Sequence, residues 1–279
     1  MTEQPSPDVR PSPIAGTAWY PGSAHALSQM IDGFLNVSVE PPPGQIIGLI
    51  APHAGLEYSG AVAGYAFALA RTLQPDLVAV LSPSHRLYPA PLLTTDHHVY
   101  RTPLGDIAVD GAAVEALAAR VPLAKVRHDQ EHSLEIELPF LQRALAQPFT
   151  LLPLMLVEQS VAVVERLGHA LAEVLRGRNA LIVASSDLSH YYPQDLANRL
   201  DRYMLGRVAA FDPLGVLEAE ERQQGFACGR GAIAAALWAA RDLGADSARV
   251  LHYATSGDVT GNYRNVVGYG AGVIFRRAA

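Results

Sequence analysis

The sequence is poor in cysteine and in lysine, and each shortage excludes something. A single cysteine, Cys228, rules out an internal disulfide and fits a reducing compartment. Lys125 is the only lysine among 21 cationic residues, and the arginines are scattered rather than clustered. With a net charge of −6 and a pI of about 5.9, the chain carries no basic footprint for nucleic acid or an anionic membrane.

Long hydrophobic runs are also missing. Stretches such as AIAAALWAA at 232–240 are far shorter than the roughly 18 to 20 apolar residues of a membrane-spanning helix. The opening MTEQPSPDVRPSP lacks the apolar core of a signal peptide. We therefore expect a cytoplasmic protein without a membrane segment, and we predict a flexible N-terminal arm over residues 1–13.

Three common catalytic motifs are absent as well. The sequence contains no G-x-S-x-G nucleophile motif, no G-x-x-x-x-G-K-[ST] phosphate loop and no G-x-G-x-x-G turn after a strand. Serine hydrolysis, nucleotide hydrolysis and hydride transfer therefore lose their main support in the sequence.

Apolar residues, in contrast, make up 49% of the chain and fall in short continuous runs between helical patterns. Such runs predict buried strands at 46–51, 77–82, 149–156, 180–186, 250–256 and 266–275. Helices are predicted between them, including one long helical region over 195–221. Because the strands are continuously apolar rather than alternating, the sheet should be covered on both faces. We predict a single α/β domain over 1–279, a three-layer α/β/α sandwich with a mainly parallel or mixed central sheet.

Polar side chains follow three of these strands. His53 comes just after the first, His85 just after the second, and Asp187 and His190 follow the run at 180–186. In open α/β sheets, ligands bind beyond the carboxyl ends of the strands. Neighbouring parallel strands lie about 4.8 Å apart, so side chains leaving adjacent ends can converge on one ion.

Cys228 precedes a strong helical pattern. A helix N-terminus lowers the pKa of a thiol and favours the thiolate, which binds metals, so beside two histidines Cys228 becomes a candidate ligand. The surrounding Gly225, Gly229 and Gly231 would permit the backbone to approach something small.

The segment from His128 to His132 matches the H-x-x-E-H pattern of inverted zinc peptidases. That chemistry needs both histidines on one face of a continuous helix, whereas RHDQEHS is typical of a loop leading into a helix near Ser133. A zinc hydrolase stays open as a minor alternative, and Glu131 and His132 could still reach a site from the loop.

Five ordered motifs, PHAGLEYSG, SPSH, EHSLEIELPF, SSDLSHY and FACGRGAI, resemble the Memo family, whose prokaryotic members are called AmmeMemoRadiSam system protein B. The opening VRPSPIAGTAWYPG also resembles that family, so the likeness extends over nearly the whole chain. The family is similar in fold to class III extradiol dioxygenases, which hold non-haem Fe(II) with two histidines and one carboxylate.

The resemblance implies a set of site residues. His53 and His85 match the family's histidine ligands, and Cys228 matches the cysteine that replaces the carboxylate. His190 corresponds to the acid/base histidine of the dioxygenases, with Asp187 beside it to orient it.

The resemblance places His132 in the lining of the same pocket. We expect the substrate pocket to be partly apolar, with Tyr58, Tyr191 or Tyr263 as candidate aromatic walls. Because thiolate is softer than carboxylate, the ligand set accepts Cu or Zn as well as Fe(II), which we expect to be the metal.

Two functions follow as hypotheses. The first is an Fe(II)-dependent oxidoreductase resembling the class III extradiol dioxygenases. The second is a non-catalytic binding or adaptor protein with a dioxygenase-like metal pocket, because a fold does not carry its activity with it. The expected ligand is a small molecule or peptide, and the family name implies AMMECR1-like and radical SAM proteins as partners.

Overall fold

The computed structural model of the chain describes residues 8–278. Within that range the strands are β1 Val9–Arg10, β2 Gly44–Ala51, β3 Leu77–Pro83, β4 Leu92–Thr95, β5 Val99–Thr102, β6 Gly105–Ala108, β7 Leu123–Val126, β8 Thr150–Leu156, β9 Ala180–Ser185, β10 Asp187–Tyr192, β11 Ser247–Thr255 and β12 Val266–Arg277. The helices are α1 Ala24–Leu35, α2 Leu56–Ala70, α3 Gly111–Ala118, α4 Glu137–Ala144, α5 Val161–Leu175, α6 Gln194–Ala209, α7 Pro213–Glu221, α8 Arg230–Asp242 and α9 Ser256–Thr260.

A mixed sheet of nine strands forms the centre of the fold, in the order β10-β12-β2-β9-β3-β8-β4-β7, with β11 paired to the outer side of β12. The strands β2, β9, β3 and β8 are parallel, and the antiparallel strands β12 and β4 flank them. A small sheet of β1, β5 and β6 lies apart from the large one. The predicted α/β fold with a mixed sheet is confirmed.

Both faces of the large sheet are buried, as the continuous apolar strands predict. Along β3, Val78 and Val80 pack into one core, whereas Leu77, Ala79 and Leu81 pack into the other. The first core receives the apolar faces of α1, α2 and α4, and the second receives those of α5, α7 and α8. Successive side chains of a strand point to opposite faces, so a strand covered by helices on both sides must be apolar throughout.

The prediction of a flexible arm over 1–13 is wrong for residues 8–13, the part of it that the structure describes. Residues 1–7 lie outside the described range, but Val9–Arg10 pair with β5 as strand β1. The Arg10 side chain is 2% exposed and bonded to the loop before α4. Buried contacts with distant residues, rather than local propensity, order this segment.

One further prediction on local structure needs correction. The long helical region over 195–221 is divided into α6 and α7, because Asp212 caps the N-terminus of α7 and Pro213 occupies its first turn. Asp187 and His190 follow β9, as the sequence indicates, and both lie within β10, which pairs with β12.

The site depends on the order of three central strands. β9 lies between β2 and β3, so the strands that precede His53 and His85 are not direct neighbours, contrary to the simplest expectation. All three strands are parallel and end at the same edge of the sheet. Among residues 8–278, no helix combines the length and apolar character needed to cross a membrane.

Candidate metal centre

The carboxyl ends of β2 and β3 each carry a histidine two residues beyond the last residue of the strand. His53 follows Ala51, the end of β2, and is 1% exposed. His85 follows Pro83, the end of β3, and its side chain is 35% exposed. Their ring centroids are 5.4 Å apart. One histidine of the pair therefore lies inside the protein, and the other is accessible from solvent.

His132 completes a cluster with these two residues. It comes from the turn before α4, and its ring lies 4.6 Å from that of His85 and 5.5 Å from that of His53. One nitrogen from each of the three histidines lies within 4.8 Å of the others, which is close enough for a single metal ion. The peptidase alternative loses its geometry, because α4 begins only at Glu137 and His128 is not part of the cluster.

The rings of His53 and His85 are each held by a hydrogen bond through Nδ1, and Nδ1 of His132 lies close to the same carboxylate as that of His85. Nδ1 of His53 lies 2.8 Å from Oγ of Ser185. Nδ1 of His85 and Nδ1 of His132 lie 2.9 Å and 3.2 Å from the same atom, Oε1 of Glu131. Metal-binding histidines are usually oriented in this way, with the second ring nitrogen bonded to a carboxylate or another polar group. The arrangement leaves Nε2 of each ring for a ligand.

Glu131 is the central positioning group of this cluster. Besides a hydrogen bond from the His85 ring, its carboxylate accepts hydrogen bonds from the backbone N–H groups of His85, His132 and Ser133, at 2.7, 3.0 and 3.1 Å. Burial alone would raise the pKa of Glu131, but the hydrogen bonds and the electrostatic interaction with His85 hold it well below its usual range. The group is therefore a carboxylate at neutral pH.

Burial keeps two of the imidazoles neutral. Desolvation, followed by the neighbouring His132 and His85, lowers the pKa of His53 well below its usual value. Desolvation also lowers the pKa of His132 to about 4, although Glu131 opposes the shift. Because a metal ion needs the neutral ring, these residues can bind it at pH 7 without first losing a proton.

We expect Glu131→Gln to weaken metal binding by about 10- to 100-fold, which is the usual effect of removing a carboxylate that orients ligands. The amide cannot accept from the His85 ring and three backbone N–H groups as a carboxylate does. Titration with Zn²⁺ would measure the change, with Glu165→Gln on the exposed face of α5 as the matched control. An unchanged affinity in Glu131→Gln would show that the carboxylate does not orient the ligands.

Cys228 lies next to this cluster but outside the group of mutually close ligand atoms. Its Sγ atom is 3.1 Å from Nε2 of His53. The expectation of a lowered thiol pKa is wrong: burial, reinforced by Asp187, raises the pKa of Cys228. The thiol is therefore protonated at neutral pH.

The glycine beside the cysteine serves the fold rather than a ligand. A Cβ atom on Gly229 would lie 2.3 Å from the carbonyl oxygen of Ser185, so the close approach is to β9. Likewise, a Cβ atom on Gly231 would meet Gln159, and one on Gly225 would meet the backbone of Leu200. The prediction that these glycines make room for a small ligand is not supported by their surroundings.

Asp187 holds the turn that carries His53. Oδ1 of Asp187 accepts hydrogen bonds from the backbone N–H groups of His53 and Ala54, at 2.8 and 3.2 Å. Burial raises the pKa of Asp187 to about 7, although these two hydrogen bonds oppose the shift. Within residues 8–278, Asp187 makes no hydrogen bond to His190, so it fixes the His53 turn instead of orienting His190 as expected.

His190 lines the cavity in front of the histidine cluster. Its Nε2 atom is buried and has no hydrogen bond among the described residues. Burial, and then the nearby His85, lower its pKa, so the ring is neutral and its nitrogen can exchange a proton with a bound molecule.

A cavity of about 540 Å³ opens in front of the cluster. His53, His85, His132, Asp187 and His190 line it, and the expected walls Tyr58 and Tyr191 are present. Trp19 and Tyr269 also contribute to the lining, and the Trp19 ring stacks on His132 at 3.8 Å. Nothing in the local sequence pattern indicated that the segment around Trp19 would reach the site.

Glu137 contacts Ser185, the residue that lies against Nδ1 of His53, and no sequence motif indicated this position. It is 0% exposed, and its Oε1 atom lies 2.6 Å from Oγ of Ser185. As the first residue of α4 it benefits from the helix dipole by only about 0.3–1 kcal/mol, whereas dehydrating a carboxylate costs several kcal/mol. Burial therefore dominates and raises the pKa of Glu137 well above its usual value, with Asp187 adding to the shift.

Together, the parallel strand ends and the three histidines define an α/β protein with a candidate metal centre at the edge of its sheet. The family model described as "Memo-like protein" matches residues 10–273. The chain belongs to the Memo family.

Similar proteins match nearly the full length of the chain. A MEMO1 family protein of Methanopyrus kandleri is 34% identical over 280 residues, which covers 95% of this chain and 99% of the relative. Another from Nitrosopumilus maritimus is 34% identical over 269 residues, covering 93% and 97%.

A solved structure supports the fold alone. The crystal structure of an uncharacterized protein, JW3007, from Escherichia coli K12 has a TM-score of 0.52 at 14% identity, and the likeness covers 81% of this chain and 99% of that one.

Proposed function

We propose that the protein is a non-haem, Fe(II)-dependent oxidoreductase that acts on a small organic substrate in the cavity beside the histidine cluster. The observation that carries the proposal is the convergence of His53, His85 and His132 within 4.8 Å, beside a cavity lined by His190, whose Nε2 atom has no hydrogen-bond partner in the described part of the chain. The candidate metal ligands and the neutral imidazole of His190 thus line one cavity.

The donor set fits a transition metal. Imidazole nitrogens suit Fe, Zn and Cu, and thiolate suits the softer of these ions. Two ligand sets are candidates: His53 and His85 with His132, or His53 and His85 with Cys228. The third ligand in the proposal is Cys228, whose Sγ atom lies against Nε2 of His53, while His132 lines the substrate side.

The protein's own residues would bind the substrate and move its proton. Bound Fe(II) would supply a Lewis acid and a redox centre with open positions for the substrate and O₂. The neutral ring of His190, whose Nε2 atom has no hydrogen-bond partner within residues 8–278, would accept a proton from a substrate hydroxyl group. Tyr58, Tyr191 and Trp19 would pack against the apolar part of the substrate.

The experiment is anaerobic reconstitution with Fe(II), followed by O₂ uptake with catechol-like and other candidate substrates. We expect stoichiometric iron and O₂ uptake in the wild type. In His190→Gln we expect unchanged iron content but turnover lower by about 10²- to 10⁴-fold, the usual contribution of a general base. Loss of turnover in parallel with loss of iron would instead assign His190 to metal binding.

The second candidate is a binding protein without catalysis. The side chains at the cavity mouth favour it, since Tyr191 is 74% exposed and Tyr58 is 38% exposed. Exposed aromatic residues around a pocket are typical of recognition surfaces. Stoichiometric iron with no O₂ uptake for any candidate substrate would support this function over the oxidoreductase.

A further inference from the structure

The buried carboxyl group of Glu137 has no role in the proposed chemistry, yet one atom connects it to the metal centre. Oγ of Ser185 lies 2.8 Å from Nδ1 of His53, 2.6 Å from Oε1 of Glu137 and 2.7 Å from the carbonyl oxygen of Ser133. All of these groups lie in the interior, since Ser185, Glu137 and Ser133 are each 0% exposed. No water is needed to explain the three contacts, because their distances are those of direct hydrogen bonds.

The single proton of the Ser185 hydroxyl group decides the protonation of its neighbours. The Ser133 carbonyl oxygen can only accept, so the hydroxyl group must donate to it. The hydroxyl oxygen then has two lone pairs left, and these can accept one hydrogen bond from His53 and one from Glu137. Both neighbours must therefore carry a proton toward Ser185.

An ionised Glu137 does not fit this arrangement. A carboxylate can only accept, so it would compete with the Ser133 carbonyl group for the one hydroxyl proton. One of the two acceptor oxygens would then lie at hydrogen-bond distance from Oγ of Ser185 with no proton between them. The second oxygen of Glu137, Oε2, is buried and has no partner within residues 8–278. A neutral acid tolerates such an orphan oxygen far better than a carboxylate does.

We propose that Glu137 is a neutral carboxylic acid in the folded protein and a positioning residue for His53. It donates to Ser185, which in turn accepts from Nδ1–H of His53, so the imidazole is held as the Nδ1–H tautomer with the lone pair on Nε2. That lone pair faces Cys228. The role in ligation rests on the proposed metal site, whereas the protonation state and the tautomer do not.

The protonation state is tested first, in metal-free protein. Infrared spectra of wild type and Glu137→Gln should differ by the C=O stretch of a protonated carboxylic acid, above the amide I band. Asp187→Asn identifies any second acid band, because burial raises the pKa of Asp187 to about 7. In ¹⁵N-histidine spectra, assigned with His53→Ala, His53 should be protonated at Nδ1. Absence of the acid band, or an Nε2–H tautomer, would overturn the proposal.

Metal affinity tests the positioning role, with Zn²⁺ alone as the probe. Glu137→Gln keeps an N–H donor toward Ser185, so we expect its affinity within about 3-fold of wild type. Ser185→Ala removes the acceptor for Nδ1–H, and we expect a 10- to 100-fold loss. An equal loss in both variants would show that the negative charge of Glu137 was needed, which contradicts a neutral acid. If wild type binds no Zn²⁺, the proposed metal site fails while the infrared and tautomer results still stand.

Discussion

Arg10→Met is expected to lower the free energy of unfolding by about 3–5 kcal/mol, the usual result of breaking a buried ion pair. The Arg10 side chain is 2% exposed, and its partners Asp129 and Glu135 are 1% and 0% exposed. Nε of Arg10 lies 2.8 Å from Oδ2 of Asp129, and Nη1 lies 2.6 Å from Oε2 of Glu135. Methionine fills similar space but leaves two carboxylates buried without a countercharge.

The same contacts should couple the N-terminal segment to the metal centre. Nη2 of Arg10 also donates to the backbone oxygen of Glu131, and Trp19 stacks on His132. In Arg10→Met, metal affinity should therefore fall together with stability, because the loop that carries Glu131 and His132 loses its support.

Urea unfolding of the metal-free protein measures the effect on stability, and two variants act as controls. Arg10→Lys keeps the charge without the planar fork and should lose less than Arg10→Met. Adding Asp129→Asn and Glu135→Gln to Arg10→Met removes the stranded charges and should recover much of the loss. A loss below about 1 kcal/mol in Arg10→Met would mean that the pair behaves like an exposed one.

The case of Arg10 shows where the sequence stops being informative. Its neighbours are prolines and serines, which locally indicate an extended solvated segment, and its main partner Asp129 is 119 positions away. Nothing in local composition encodes such a pairing. In contrast, β3 could be predicted, since burial on both faces requires apolar residues at every position of the strand.

The site was predictable in part for the same reason. His53 and His85 follow buried strands, and the carboxyl edge of a parallel sheet collects such residues whatever the strand order is. The insertion of β9 between β2 and β3 was not predictable, because tertiary packing sets strand order.

Other features of the site require distances through the folded chain. The recruitment of His132 to the cluster by Glu131 and the raised pKa of Cys228 both depend on packing that local sequence does not encode. The division between α6 and α7, in contrast, is encoded locally, because Asp212-Pro213 is a typical helix start. The continuous apolar pattern masked it.

The second large effect concerns the metal ligands themselves. We expect His53→Ala and His85→Ala each to lower metal affinity by more than about 100-fold, beyond the 10- to 100-fold that follows from losing an orienting residue. Both histidines belong to either candidate set, whether the third ligand is Cys228 or His132. Titration with Co²⁺, monitored by visible absorption, measures affinity and ligand type together.

The third ligand is decided by the spectrum. If Cys228 binds the metal, Co²⁺ in the wild type should show a sulfur-to-metal charge-transfer band, which Cys228→Ser removes and His132→Ala retains. The thiol would then release its proton, so binding should weaken as the pH falls, because burial raises the thiol pKa. A wild-type spectrum without the band, together with loss of binding in His132→Ala, would assign the ion to the three histidines instead. That outcome would retain the metal centre while removing the thiolate from the proposed oxidoreductase.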